Sequence, residues 1–328
     1  MRKRGHCRAI RAGTVRAHFG ILSAEMGNSV DVRGLSALIA DRLRLVAVEL
    51  VPLDVECAWP VYRATAIGRE PMLVKVTERA AAERTLSFLS AAEGCPFLPR
   101  PVLADAPDFA GRAVLCLEWK ASERVNAEDM TEGQLGSFVT GCRILSETLA
   151  HYRGPITPLA EADSPRGQYA ALRDYAGRHP VMARLLKPLL DIPSAEREYG
   201  ARELAIIHGD LQPKNYGFDG DRLAAIYDTD DLTTGLACED AAYAFTERAR
   251  RSELSAASRR RLTELFLRFA ELSPWPKDEW QIAVNHSRLR IAARRLEKRP
   301  DSVFVAFDIA RRDKPLRLLA EALGRGHA

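Results

Sequence analysis

The sequence predicts an α+β fold in two lobes, a small strand-rich N-lobe followed by a larger, mainly helical C-lobe. Three observations point there. Strand-like, alternating segments crowd between Leu43 and Val76, one further apolar strand spans 113–119, and almost everything after it reads at helical spacing. Strands first and helices afterwards is the order of an α+β chain. At 328 residues the chain suits two lobes and is too long for one minimal domain.

In chain order, residues 1–30 read as a basic, poorly ordered arm, with Met26 a second candidate start. The N-lobe is expected over 31–118 and the C-lobe over 119–328. Leu45–Val51 is rich in β-formers, Val61–Ala66 alternates, Gly68–Pro71 supplies a turn, and Met72–Val76 makes a third strand. Residues 77–92 switch to helical spacing, with Ala81, Leu86, Leu89 and Ala92 on one face and Thr77 as N-cap. Pro96, Pro99 and Pro101 end that run, and Ala113–Trp119 returns to an apolar strand. Thr131–Tyr152 is a long amphipathic helix; helices follow at 166–178 and 180–191, divided by Pro180, then at 237–250, 254–272, 276–299 and near the C-terminus.

Hydrophobic residues are 47% and charged residues 28%, an ordinary balance for a chain with a real core. The net charge of +4 is uneven, gathered in the first seventeen residues and in Arg288–Arg299. The later run reads as a solvated helix face, with attraction of an anionic partner as the alternative. No motif for nucleic acid is present. The six cysteines, Cys7, Cys57, Cys95, Cys116, Cys142 and Cys238, are far apart and show no metal-ligand pairing. Without a secretory signal they read as reduced thiols of a cytoplasmic protein. No stretch approaches the roughly 20 apolar residues that span a bilayer, so no transmembrane segment is expected; peripheral contact with a membrane stays open.

The chemistry concentrates late. Strand Leu204–Ile207 runs into His208-Gly209-Asp210-Leu211-Gln212-Pro213-Lys214-Asn215, and a hairpin with Asp219-Gly220-Asp221 at its turn then ends at Asp228. Asp210 stands on a loop at a strand end, able to receive a hydroxyl. The hairpin returns Asp228 beside Asn215, and a carboxamide oxygen with a carboxylate makes a hard-oxygen pair for Mg²⁺, nucleotide phosphates completing the shell. A chance turn before a helix is the bland alternative. The preceding strand, the Asn offset, the hairpin and the terminal Asp support one another against it.

This segment resembles the catalytic loop of the aminoglycoside phosphotransferase and choline kinase group, in which His-x-Asp is followed by Asn five residues on. The resemblance implies a bilobal protein-kinase-like fold and transfer of a phosphate from ATP, with GTP also open, to a small-molecule hydroxyl. It implies Asp210 as catalytic base, Asn215 and Asp228 as Mg²⁺ ligands, and His208 as organiser of the loop. Gly235 and Asp240 match a later segment of the family, where Leu236 replaces a usual acidic residue. The family also needs a strand lysine for the phosphates and a helix glutamate to hold it. Lys75, inside an apolar strand, and Glu83, chosen over Glu78, fill those places. Glu118 and Trp119 resemble the interlobe hinge that meets the purine through its backbone. Residues 54–61, the expected phosphate cover, hold no glycine.

Gln212 stands where protein kinases usually place a lysine, no glycine follows Asp228, and no Ala-Pro-Glu segment closes an activation loop. The acceptor is therefore expected to be small. Asp230, Asp231 and Glu239 would receive an amine-bearing one, such as an aminoglycoside or amino alcohol. The basic stretch at 288–299 would instead suit an anionic sugar, as in lipopolysaccharide-core assembly. Trp275 and Trp280 read either as a cation-binding wall or as core. A silent pseudokinase would lack the base, the metal ligands or the lysine, and none is missing here.

Overall fold

The computed structural model describes residues 30–53, 59–160, 164–192, 200, 202–251, 253–300 and 302–325. Nearly all of the expected arm and residues 54–58 of the expected phosphate cover lie outside them. The α+β arrangement in two lobes is as the sequence predicts: an antiparallel sheet with its helices, then a helical lobe.

Helix α1 (Val32–Leu43) precedes the sheet. Asp31 starts it by accepting a hydrogen bond from the Gly34 N–H at 3.0 Å. Only Leu35 and Ile39 are fully buried on it, too sparse a stripe to announce a helix in the sequence. The sheet is built from β1 (Glu49–Pro52), β2 (Val61–Thr65), β3 (Met72–Thr77), β4 (Asp108–Phe109) and β5 (Arg112–Glu118), in the order β1-β2-β3-β5-β4. β3 is therefore central, and successive side chains leave it on opposite faces. Met72, Val74 and Val76 pack toward Leu35, Ile39 and Val114, so Leu73 and Lys75 face the other way, into the cleft between the lobes. Helix α2 (Arg79–Ala91) starts from Glu78, not from Thr77 as the sequence suggests. Thr77 is still hydrogen-bonded into β3 and fully buried.

The C-lobe opens with α3 (Glu132–His151). Thr131 and Gln134 form a capping box, each side chain accepting a backbone N–H at 3.0 Å. Helices α4 (Pro165–Arg178) and α5 (Pro180–Leu190) follow, then β6 (Ala205–Ile207), the hairpin β7 (Tyr216–Asp219) with β8 (Arg222–Ile226), and β9 (Thr233–Gly235), which pairs with β6. Helices α6 (Glu239–Ala249), α7 (Ala256–Leu272), α8 (Lys277–Lys298) and α9 (Phe304–Arg325) complete it.

The lobe's core is aromatic. Phe138, Tyr216, Phe218, Phe245, Phe266, Phe269 and Trp280 meet at centroid separations from 4.7 to 6.3 Å, mostly edge to face. Trp280 is fully buried among them and Trp275 packs on its edge at 5.9 Å, so these tryptophans are core and not a cation-binding wall. Among the described residues Cys95, Cys116, Cys142 and Cys238 are free thiols. Burial pushes Cys116 up to about 12, which keeps it unreactive. No described helix is long and apolar enough to cross a membrane.

The reading of 288–299 as a solvated face needs correction. Helix α8 packs against α4, α6 and α9, which takes part of its basic stripe out of water. Arg288 is 5% exposed and pairs with Asp313 at 2.7 Å, its guanidinium also donating to the Pro188 carbonyl at 3.1 Å. Arg294, Lys298 and Arg299 remain exposed. Removing one partner of a buried pair leaves the other charge uncompensated. Arg288→Met is therefore expected to cost about 3–5 kcal/mol, and Lys298→Met at most about 0.5 kcal/mol, both read from denaturant midpoints.

Candidate active site

The loop from His208 to Asn215 joins β6 to β7, and its shape is held from beneath. Asp240, on the first turn of α6 and 7% exposed, accepts hydrogen bonds from the backbone N–H of His208 at 2.6 Å and of Gly209 at 2.9 Å. His208 is fully buried. Its Nε2 donates to the Tyr227 carbonyl at 2.9 Å and its Nδ1 accepts from the Asp210 N–H at 3.3 Å. Those two partners select the neutral Nε2–H tautomer and leave the ring no free nitrogen, the geometry of an organiser. Gly209 has φ +84°, and a Cβ there would come within 2.5 Å of the Asp231 carbonyl oxygen. Both facts require glycine.

Asp210 projects from this frame, partly buried. The Gln212 amide donates to both of its carboxylate oxygens, at 2.7 and 2.8 Å. Asn215 donates through Nδ2 to the Asp210 carbonyl at 2.8 Å and to Oδ2 at 3.0 Å, and Lys214 Nζ stands 3.6 Å from the same oxygen. Because Asn215 spends its NH₂ on Asp210, its amide oxygen is left for another partner. Sequence reasoning used Gln212 only to argue against a protein acceptor; the structure makes it the residue that orients Asp210. A glutamine two positions after the aspartate was the available signal.

Asp228 follows β8 in a left-handed conformation, φ +66°, which Asp tolerates better than most residues. Its carboxylate pairs with Lys75 from the facing lobe. Lys75 also donates to both oxygens of Asp230, at 2.9 and 2.8 Å. One ammonium thus serves two carboxylates. Burial works against both charges, and the nearer lysine contact prevails at Asp228, holding it down to about 2. At Asp230 burial and the neighbouring Asp228 prevail, pushing it up to about 6.

Glu83 does not meet Lys75. The buried face of α2 runs through Ala81, Ala82, Thr85 and Leu86, which leaves Glu83 exposed on the outside, while Thr85 lines the cleft beside Lys75. Glu78, the other candidate, pairs with Arg112 at 3.9 Å. Arg84 instead reaches across to the Asp230 carbonyl at 3.2 Å, fastening α2 to the turn that carries Asp230. The lysine's partners are therefore C-lobe aspartates and not a helix glutamate.

The cleft between the lobes encloses about 920 Å³, counting its open mouth. Leu53, Val61, Leu73, Leu115 and Leu117 form its apolar walls, with Lys75, Asn215, Asp228 and Asp230 at the polar end. Trp119 lines it as well and Arg63 stacks on its ring at 5.3 Å. Glu118 does not line it; its carboxylate accepts from the Arg100 N–H and pairs with Lys120 at 3.2 Å. The backbone N–H groups of Glu118, Trp119 and Lys120 already donate to the Arg100 carbonyl, the Pro71 carbonyl and the Tyr227 hydroxyl. A base seated there meets apolar walls before it meets a free amide.

The expected acidic subsite is largely committed elsewhere. Asp230 holds Lys75. Glu239 is 6% exposed, pairs with His286 at 2.6 Å and accepts from the Leu236 N–H at 3.2 Å. Only Asp231 stays exposed. Among the described residues no three His, Cys, Asp or Glu converge as a metal cage. The free Asn215 oxygen and the Asp228 carboxylate make too small a set for a closed site. They do fit Mg²⁺, which binds through one or two protein ligands and fills its shell from phosphates and water.

A family model described as phosphotransferase enzyme family matches residues 60–275. No curated protein sequence matches the chain. Solved structures similar to it include a thermostable mutant of the aminoglycoside phosphotransferase APH(4)-Ia in ternary complex with ADP and hygromycin B, 14% identical, covering 89% of this chain and 99% of that one at a TM-score of 0.57. A choline/ethanolamine kinase family protein from Mesorhizobium loti is 14% identical over 85% of this chain and 93% of that one, with a TM-score of 0.56. An amicoumacin kinase in complex with AMP-PNP and Ca²⁺ is 14% identical over 83% and 88%, with a TM-score of 0.51.

Two stability tests follow from this geometry. Lys75→Met strands two part-buried carboxylates and is expected to cost about 3–5 kcal/mol, whereas Glu83→Gln, at an exposed position, should stay within about 0.5 kcal/mol; equal midpoints for the two would reject the assigned partners. Gly209→Ala should destabilise by about 1–3 kcal/mol, from left-handed strain and the close carbonyl, measured the same way.

Proposed function

The chain belongs to the phosphotransferase enzyme family, and from that premise we propose that it moves the γ-phosphate of ATP to a hydroxyl group of a small molecule. The observation that carries this reading is the disposition of Asp210. Gln212 and Asn215 hold both of its oxygens, beside an Asn215 amide oxygen and an Asp228 carboxylate that a metal–nucleotide complex needs. In this reading the acceptor hydroxyl stands against Asp210, which orients it and takes its proton during in-line attack on the γ-phosphorus. Asn215 and Asp228 would hold Mg²⁺, and Lys75 would turn from the aspartates to the phosphates as nucleotide enters. Mg²⁺ when bound neutralises charge on the phosphate oxygens. His208 and Asp240 keep the loop in place without touching the reacting atoms.

ATP is the favoured donor because relatives of the same fold hold ADP or AMP-PNP. Apolar cleft walls do not by themselves select adenine over guanine, so GTP belongs in the assay. Gln212 at the lysine position and the lack of an activation segment argue for a small acceptor over a protein. A cytoplasmic setting agrees with buried free thiols.

Asp210→Asn is expected to lower acceptor-dependent ATP turnover by about 10²–10⁴-fold, with nucleotide affinity little changed. If neither turnover nor intrinsic hydrolysis differs from the unmodified protein, the enzyme reading with Asp210 as its base fails. Asp228→Ala should abolish Mg²⁺-dependent nucleotide binding in a calorimetric titration; an unchanged Mg²⁺ dependence removes Asp228 from the site.

A further inference from the structure

Many arginines of the helical lobe are neutralised. Arg248 pairs with Glu128, Arg250 and Arg251 with Glu247, Arg288 with Asp313, and Arg295 and Arg312 with Asp308. Arg290 is different. It is partly buried, yet it makes no hydrogen bond or ion pair with any described residue. Its guanidinium lies over Tyr243, with Cζ 3.9 Å from the ring centroid. A guanidinium held by its face keeps its edge donors free for a planar or tetrahedral anion.

Its position follows from two helices. Asp240 of α6 clamps the catalytic loop, and Tyr243 is one turn further along the same face. His286 of α8 pairs with Glu239 of α6, and Arg290 is one turn further along α8. The same pairing that docks α8 on α6 therefore sets Arg290 over Tyr243, one helical turn from the Asp240 carboxylate that clamps the loop carrying Asp210. Burial opposes its charge, yet Tyr243, Glu239 and Asp210 act on the guanidinium and hold its pKa above the ordinary arginine value. Of the carboxylates expected to greet an amine, Asp230 is spent on Lys75 and Glu239 on His286, which leaves only the exposed Asp231.

We propose that the acceptor is an anionic hydroxyl compound, carrying a carboxylate or a phosphate, and that Arg290 propped on Tyr243 binds that anion while Asp210 faces the hydroxyl. This rests on the phosphotransferase reading. The acceptor oxygen forms its bond to the γ-phosphorus as the bond from that phosphorus to the β–γ bridging oxygen breaks. The hydroxyl proton passes to Asp210, and the products are ADP and a phosphate ester of the acceptor. Arg290 sets specificity and takes no part in proton transfer.

The test uses full-length protein, ATP and Mg²⁺ with four probes that differ chiefly in charge: gluconate, glucose 6-phosphate, glucose and glucosamine. Comparing gluconate with glucose 6-phosphate separates a carboxylate from a phosphate. The expected result is kcat/KM for at least one anion on the order of tenfold above glucose and glucosamine, the size of one charge-assisted contact. Arg290→Gln should collapse that ratio to about one through KM, and Arg290→Lys should restore part of it, with melting midpoints confirming that both variants fold. A wild-type ratio of one or less, turnover of none of the four, or a preference that survives Arg290→Gln overturns the proposal. ATP hydrolysis without acceptor, compared with Asp210→Asn in the same series, reads the phosphotransferase reading separately. If that hydrolysis depends on Asp210 while no anion is preferred, only the acceptor class falls.

Discussion

A single buried carboxylate underlies the site. Asp240 accepts the amides of His208 and Gly209, and without those bonds two backbone N–H groups would be stranded in an apolar interior. Everything on the loop is referred to that contact. Gly209 can take its left-handed turn because Asp240 receives its N–H, and His208 can then bridge to the Tyr227 carbonyl, which positions the end of β8. Asp228 follows immediately, so the clamp beneath the loop also places the residue above it. A buried charge is costly unless hydrogen-bonded. Here the cost is offset by two amides that need an acceptor.

The second organising contact crosses between the lobes. β3 is central in its sheet, so alternation alone sends Lys75 into the cleft, where an unpaired ammonium would be unfavourable. Asp228 and Asp230 supply the counter-charge, and Arg84 holds the turn that carries Asp230. Three charged groups and one guanidinium thus join α2, β3 and the segment after β8. A polyanionic nucleotide with its cation would replace these contacts like for like. The phosphate would meet the lysine and the metal would meet Asp228.

The surroundings of Asp210 are less acidic than the residue count suggests. Glu239 is satisfied by His286, Asp240 by amides and Asp230 by Lys75, while Arg290 keeps unspent donors. Counting carboxylates near a motif says little about the field an acceptor meets. What matters is which of them retain free oxygens.

The chain order of strands and helices, the loop His208–Asn215, Asp228 at the end of a hairpin and Lys75 in an apolar strand were all legible in the sequence. They are legible because they depend on local periodicity and on short spacings along one strand–loop–hairpin unit, which tertiary packing does not rearrange. Helix α1 was missed, since two buried residues make no visible stripe. The choice of Glu83 failed for a related reason: which face of α2 turns inward is decided by packing on β5 and the Asp230 turn, not by distance along the chain. Arg288 and Arg290 share one basic run, yet one is neutralised inside the core and the other stands over Tyr243. Their difference lies in which neighbouring helix each faces. Sequence determined the identity and spacing of the candidate site residues; only the tertiary structure decided which charges cancel, because cancellation depends on partners brought together from distant segments.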